Sequence, residues 1–254
     1  MSDLARLGSG AMFDRIAGRY DTLNRIISLG IDRGWRKRTI RALDLKPGQR
    51  VLDLATGTGD LALELQRRHP NVDVVGVDPS PNMLSIFGDK IRKKQVEGRV
   101  RYQEGMAEAL SFEDDAFDAC MMAFGIRNVE DRDGALREMA RVVRSGGRVA
   151  ILELSEPQRG LLGPLARFHM RVVVPFLGAL LSGQKEYRYL QRSIAAFPQP
   201  DAFASMMERS GLSVRSIVPL TFGVCCLYIA EVMQEPGAPD SAGQQRATGE
   251  AGVR

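Results

Sequence analysis

The chain has 254 residues, 44% of them hydrophobic and 26% charged, proportions that exclude a disordered or fibrous protein and allow a sizeable core. At this length one α/β domain with extra helices and two small domains are both open. The formal charge is only +4, with 35 Lys and Arg residues dispersed among 31 acidic ones, so no basic arm points to nucleic acid.

Three cysteines, Cys120, Cys225 and Cys226, cannot pair evenly, which suits a reducing compartment. With only His69 and His169 and no Cys-x-x-Cys, no metal site is expected. The start, Met1 to Arg6, lacks the basic and apolar regions of a signal peptide. The most apolar stretch, 172–181, is far short of the roughly 20 residues that span a bilayer as a helix. The expectation is a cytoplasmic protein, soluble or peripheral at the inner face of the membrane.

In chain order, residues 12–43 predict two helices. The first carries Phe13, Ile16, Tyr20, Leu23 and Ile27 at spacings of three and four, the second Trp35, Ile40 and Leu43. The basic run from Arg33 to Arg41 on the second helix predicts a solvated face, with a phosphate or anionic-lipid patch as the alternative. After the Lys46-Pro47-Gly48 turn, Arg50 to Ala55 is a short apolar run of the kind found in buried parallel strands. A helix near 60–68, a strand over 72–77, a helix opening at Ser80-Pro81 and a strand over 99–104 follow. Then come a strand over 117–122, a helix over 133–143, a turn at Ser145-Gly146-Gly147 and a strand over 148–153. Strands separated by helices imply a parallel sheet with right-handed crossovers.

Residues 160–210 interrupt this rhythm with helical segments, after which 212–218 and 222–232 predict an antiparallel hairpin turning at Pro219-Leu220-Thr221. The stretch 161–182 is apolar enough for an acceptor channel or bilayer contact, with a core helix or a homodimer face as alternatives. The tail over 234–254 has no apolar periodicity and is expected to be disordered.

The segment Asp53-Leu54-Ala55-Thr56-Gly57-Thr58-Gly59-Asp60 joins the first strand to a helix, and its glycines let the backbone turn sharply beside a ligand. Gly57-x-Gly59-x-x-Ala62 also satisfies the dinucleotide fingerprint. Asp78, 19 positions beyond Gly59, is placed to accept both ribose hydroxyls of an adenosine in either case. An NAD-dependent oxidoreductase therefore stays open on the loop alone. Asp53 and Asp60 bracket the loop with carboxylates, a poor arrangement for a pyrophosphate and a reasonable one for the amino group and sulfonium of S-adenosylmethionine. The closing hairpin and the lack of a large second domain point the same way.

These segments, together with Tyr20-Asp21-Thr22-Leu23-Asn24 through Trp35, Phe124-Gly125-Ile126-Arg127-Asn128-Val129, and Arg141-Val142 through Gly146-Gly147 to Ser155, resemble the class I methyltransferases, specifically the menaquinone and ubiquinone C-methyltransferases. The resemblance runs from about Phe13 to Val232. It implies a Rossmann-like α/β fold with a mostly parallel seven-stranded sheet, a C-terminal antiparallel hairpin, N-terminal helices and a helical insertion before the hairpin. Residues 1–45 would form a helical lid and 46–233 the methyltransferase domain.

The resemblance implies that Thr58, Asp78 and the dipeptide Met106-Ala107 contact S-adenosyl-L-methionine. Met106 departs from the usual Asp or Asn, Asp32 replaces a usual His, and Arg144-Ser145 replaces a usual Lys-Pro. With the loop residues Asp53, Gly57 and Gly59, and with Ala123 just after the fourth strand, these make up the candidate cofactor set. The acceptor it implies is a prenylated quinol, demethylmenaquinol, with a ubiquinone-pathway benzoquinol as the alternative. A non-catalytic scaffold that binds the cofactor is a further reading.

Methyl transfer to a ring carbon needs alignment and help in removing a hydroxyl proton. Arg127 lies at the carboxyl edge of the sheet, where a cation can stabilise a developing phenolate; its alternative is a surface ion pair with Asp131 or Glu130. Asn128 is either a site residue or the cap of the next helix. Asp21, beside Tyr20 and Asn24, is a candidate base acting through water, and Tyr187, with Arg188 and Tyr189, either binds acceptor or packs. Glu153 sits at the same edge and either joins the site or only accepts backbone amides, and His169 is expected to be scaffold. The candidate catalytic set is Arg127, Asn128, Asp21 and Tyr187.

Overall fold

A computed structural model describes residues 14, 17, 18, 20–22, 25, 28, 30–155 and 184–233, with side chains from Tyr189 onward in the last segment. The stretch 161–182, His169, the tail from 234, the side chains of Tyr187 and Arg188, and Asn24 with most of the first helix's apolar positions lie outside the described residues.

Seven strands, β1 Arg50–Leu54, β2 Asp73–Asp78, β3 Val100–Glu104, β4 Phe117–Ala123, β5 Val143–Leu154, β6 Leu212–Leu220 and β7 Cys225–Val232, form one sheet in the order β3-β2-β1-β4-β5-β7-β6. The first five are parallel, and β7 pairs antiparallel with both β5 and β6. The order reverses between β1 and β4, the place where the loops after two neighbouring strands diverge and open a crevice at the carboxyl edge.

Helices α1 Asp32–Ala42, α2 Asp60–Arg68, α3 Pro81–Lys94, α4 Arg132–Val142, α5 Gln184–Ala195 and α6 Pro200–Arg209 surround the sheet. Because successive strand residues point to opposite faces, each apolar strand feeds two cores. Leu52, Leu54, Met122, Ile151 and Tyr228 pack with α4 and α6 residues such as Met139 and Phe203. Val51, Met121, Ala150 and Leu227 pack with α1, α2 and α3 residues such as Trp35, Leu65 and Phe87. The neighbours Cys225 and Cys226 divide between the two cores as free, buried thiols.

Local signals set the helix ends. Ser80 caps α3, accepting from the Met83 N–H, with Pro81 at the first turn, and Asp131 caps α4, accepting from the Gly134 N–H.

Three expectations need correction. Ser145-Gly146-Gly147 is no turn between elements: β5 begins at Val143 and runs through it, absorbing the left-handed Gly146 in a register shift against β4. Phe222 lies in the turn Thr221–Gly223 rather than in the last strand, with φ of 57° and 61% of its surface exposed. The basic run on α1 is solvated at Arg33, Arg38 and Arg41, but Arg36 points inward and is 8% exposed. Helix α1 itself is part of the domain's packing, since Trp35 and Ile40 belong to the core and the Trp35 indole donates to the Thr221 hydroxyl at 2.9 Å. Among the described residues no helix is long and apolar enough to cross a membrane.

Candidate active site

The backbone after β1 is left-handed at Ala55, Gly57 and Gly59, with φ of 50°, 56° and 80°. The two glycines serve different ends. A Cβ on Gly59 would lie 1.9 Å from the Phe87 ring, so that glycine lets α2 start directly against α3. A Cβ on Gly57 would meet nothing within 4 Å, so its missing side chain leaves room on the cleft side. A Cβ on Gly125 would lie 2.5 Å from that of Ala55, which brings the loops after β1 and β4 into contact across the crevice.

Carboxylates surround this loop. Asp53 is 1% exposed and accepts from the Thr56 hydroxyl at 2.6 Å; burial pushes its carboxyl up to about 7, against the pull of that hydrogen bond and of Arg36. Asp78 ends β2 and accepts from the N–H groups of Gly57 at 2.8 Å and Ser80 at 2.9 Å, which partly offset the upward push of burial. Asp60 opens α2 and bonds Lys90 Nζ at 2.7 Å; burial raises its carboxyl, but Lys90, with Arg36 and Arg25, more than reverses that and holds it below the usual range.

Lys90 also reaches Asp21 at 2.6 Å, and the Thr58 hydroxyl donates to the other Asp21 oxygen at 2.6 Å. Asp21 thus fastens the N-terminal segment to the glycine loop, a different position from that of a base held free for the acceptor. Asp14 fastens the same segment at the other end of the cleft, accepting from the Ser80 hydroxyl and, at 3.2 Å, from the Asn82 N–H.

Between these points runs a cleft of about 270 Å³. Asp78, Val77 and Met83 line one side, Met106 and Ala107 another, and Ala123, Asn128 and Val129 the third. Tyr20, Ala55, Gly57 and Ala123 also border a smaller chamber of about 30 Å³ over the glycine loop, walled by Asp53, Thr58, Asp60, Asp21 and Arg36. Met106, 48% exposed, is part of the larger cleft's wall, so the departure at this position presents a thioether there.

Beyond β4 the chain turns through Phe124, with φ of 60°, into the short helical turn Ile126–Asn128. The surface alternative for Arg127 is excluded: Arg127 is buried, its Nη1 donating to Glu153 Oε1 at 2.7 Å and to the Phe124 carbonyl at 2.6 Å. Burial works against its charge, and Glu153, with Tyr20 and Tyr189, more than restores it. Glu153 also accepts from the N–H groups of Arg127 and Leu154, so it both pairs a cation and bonds amides. Arg127 Nε is buried with no partner.

The capping alternative for Asn128 is excluded as well, because Asp131 caps α4. Asn128 instead donates to the Phe124 carbonyl at 3.3 Å and accepts from the Tyr189 hydroxyl at 2.9 Å. Burial pushes the Tyr189 phenol up, with Arg127 and Arg132 pulling it partly back. Of the tyrosines on α5, it is Tyr189 whose described side chain joins the site. Arg36 and Lys90 fall outside the expected site because only tertiary packing brings them to the crevice.

Asn128 thus lines a cleft whose other walls carry the glycine loop and Asp78, and the buried Arg127–Glu153 pair and Tyr189 stand behind it. The model of the ubiE/COQ5 methyltransferase family matches residues 3–231. This chain belongs to that family. A demethylmenaquinone methyltransferase of Thermus thermophilus is 47% identical over 221 residues, 87% of this chain and 99% of its own. A ubiquinone/menaquinone biosynthesis C-methyltransferase UbiE of Geotalea daltonii is 42% identical, covering 87% of this chain and 94% of its own. Among solved structures, an S-adenosylmethionine-dependent methyltransferase from Aquifex aeolicus superposes with a TM-score of 0.58 at 18% identity, covering 78% of this chain and 89% of that one, a likeness of fold.

This member of the ubiE/COQ5 family is therefore an S-adenosylmethionine-dependent methyltransferase, and the dinucleotide reading of its glycine loop falls away. The residues present fit that cofactor. A carboxylate at the end of β2, apolar walls from Val77 to Met106, open space at Gly57 and an acid-lined chamber beyond it match an adenosine joined to a cationic amino-acid end.

Proposed function

We propose that this protein methylates a ring carbon of demethylmenaquinol, with S-adenosylmethionine as donor. The observation that carries the reading is Asn128, which lines the cleft beside the glycine loop and is held by the Tyr189 hydroxyl, with the buried Arg127–Glu153 pair directly behind that wall. The name of the Thermus thermophilus relative supports the choice of acceptor. The bound cofactor supplies an electrophilic methyl on a sulfonium, whose thioether leaving group is neutral.

The protein's own residues then have three tasks. Asp78 and the apolar walls of the cleft hold the adenosine half, and the chamber over the loop takes the amino-acid half. Tyr20, which borders both spaces, closes the site from the N-terminal side and excludes water. Arg127, kept charged by Glu153, stabilises negative charge as a quinol hydroxyl loses its proton to solvent, so that electron density reaches the ring carbon. Asn128, oriented by Tyr189, positions that hydroxyl. The acceptor's prenyl tail puts the reaction at a membrane surface.

The test is incubation of purified protein with S-adenosylmethionine and reduced demethylmenaquinone, followed by mass spectrometry for one methyl added to the ring. A benzoquinol of the ubiquinone pathway serves as competitor. Absence of product where a known enzyme forms it would refute the proposal, and cofactor binding without turnover on either quinol would favour a scaffold role.

A further inference from the structure

We propose that Arg36 binds the α-carboxylate of S-adenosylmethionine and that Asp32 is the positioning residue that holds its guanidinium for that purpose; the inference rests on the methyl-donor reading of the cleft. Charge matching in the small chamber over the glycine loop supports this assignment. The amino-acid end of the cofactor carries an ammonium and a carboxylate on one carbon, with a sulfonium nearby. Asp53, Asp60 and Asp21 all border the chamber, and these carboxylates complement the two positive groups. They also repel the cofactor's own carboxylate, which needs a cation of its own.

Among the described residues that line the chamber, Arg36 is the one cation. Lys90, the other basic side chain nearby, is held by Asp21 at 2.6 Å and Asp60 at 2.7 Å and does not line the space. Arg36 is only 8% exposed, a costly location for a guanidinium whose contact ion pair is with its helical neighbour Asp32. Its Nη1 bonds Asp32 one turn back on α1, and Asp32 is fixed in turn by the Ser28 hydroxyl at 2.7 Å. The Phe124 ring, 5.5 Å from Cζ, supports the guanidinium on another side. A fork held in this way presents parallel N–H donors to a carboxylate, the geometry for which Arg is suited and Lys is not. Its field reaches the loop, since it draws down the carboxyls of both Asp53 and Asp60.

Calorimetric binding of two ligands to the full-length protein tests this: S-adenosylmethionine, and its decarboxylated analogue, which keeps the ammonium and sulfonium but lacks the carboxylate. Wild type should bind the analogue about 10- to 100-fold more weakly, the range for a hydrogen bond between charged groups. Arg36→Met should weaken S-adenosylmethionine by a similar factor while leaving the analogue within about threefold, so that discrimination disappears. Asp32→Asn should reduce discrimination in part, and Arg36→Lys should retain some of it, which keeps the test open if Arg36→Met does not fold. Equal weakening of both ligands by Arg36→Met, or undiminished discrimination in Arg36→Lys and Asp32→Asn, would overturn the proposal. Failure of wild type to bind either ligand would instead remove the methyl-donor reading on which it rests.

Discussion

Replacing Asp53 with Asn separates two consequences of one buried carboxyl. In the ligand-free protein its carboxyl titrates near 7 because burial disfavours the anion, whereas in the unfolded chain it titrates near 3.8. The folded state therefore holds a proton that the unfolded state has lost between those values, and Asp53 costs stability progressively as pH rises from about 4 to about 7. At 1.36 kcal/mol per pH unit the full gap is worth roughly 4 kcal/mol above neutrality. Asp53→Asn should raise ligand-free stability at pH 8 by up to that amount and leave it nearly unchanged at pH 4. Binding runs the other way. A cationic ligand in the chamber favours the ionised carboxylate, so below about 7 the protein must release a proton to bind, and affinity should fall about tenfold per pH unit. Titration calorimetry of S-adenosylmethionine in buffers of different ionisation enthalpy should show release of close to one proton at pH 6 and far less at pH 8. In Asp53→Asn both the release and the pH slope should vanish. A flat affinity from pH 5.5 to 7.5 in wild type, or proton uptake on binding, would refute the reasoning.

The two loop glycines should respond differently. Gly59→Ala drives a Cβ into Phe87 at a left-handed residue and should cost about 3 kcal/mol in denaturant unfolding. Gly57→Ala, with open space around its Cβ, should cost about 1 kcal/mol yet weaken S-adenosylhomocysteine markedly. Arg127→Ala strands the buried Glu153 carboxylate and should lose about 3–5 kcal/mol, so its turnover alone is uninformative. Arg127→Lys is the better probe: a kcat reduced at least about tenfold, with cofactor affinity unchanged, fits a role toward the acceptor. Tyr189→Phe removes the 2.9 Å bond to Asn128 and should cost about 1 kcal/mol of stability and lower kcat without changing cofactor affinity; unaltered kcat would detach Asn128 from catalysis.

Much of the architecture is legible in the amino-acid sequence, because local chemistry sets it. The apolar run at β1, Ser80 before Pro81, and the final apolar pair of strands each carry their signal within a few residues. Where the expectations fail, a tertiary pairing overrides a local cue. Ser145-Gly146-Gly147 has the composition of a turn, yet pairing with β4 on either side, at Val143 and Arg148, keeps it within the strand as an irregularity. Arg36 belongs to a run of basic residues that looks solvated, and only the docking of α1 beside the glycine loop turns it inward.

The sequence by itself determined the order of strands and helices, the glycine loop with its flanking acids, and the residues following β4 that mark the family. Those features depend on neighbours in the chain, whose spacing fixes periodicity, capping and backbone freedom. The tertiary structure alone decided which charges meet. Arg127 pairs with Glu153 across 26 positions, Lys90 joins Asp21 to Asp60, and Tyr189 reaches Asn128 across 61. Such pairs form because the sheet brings the carboxyl ends of its strands to one edge, where burial leaves each charge needing a partner that sequence spacing does not name.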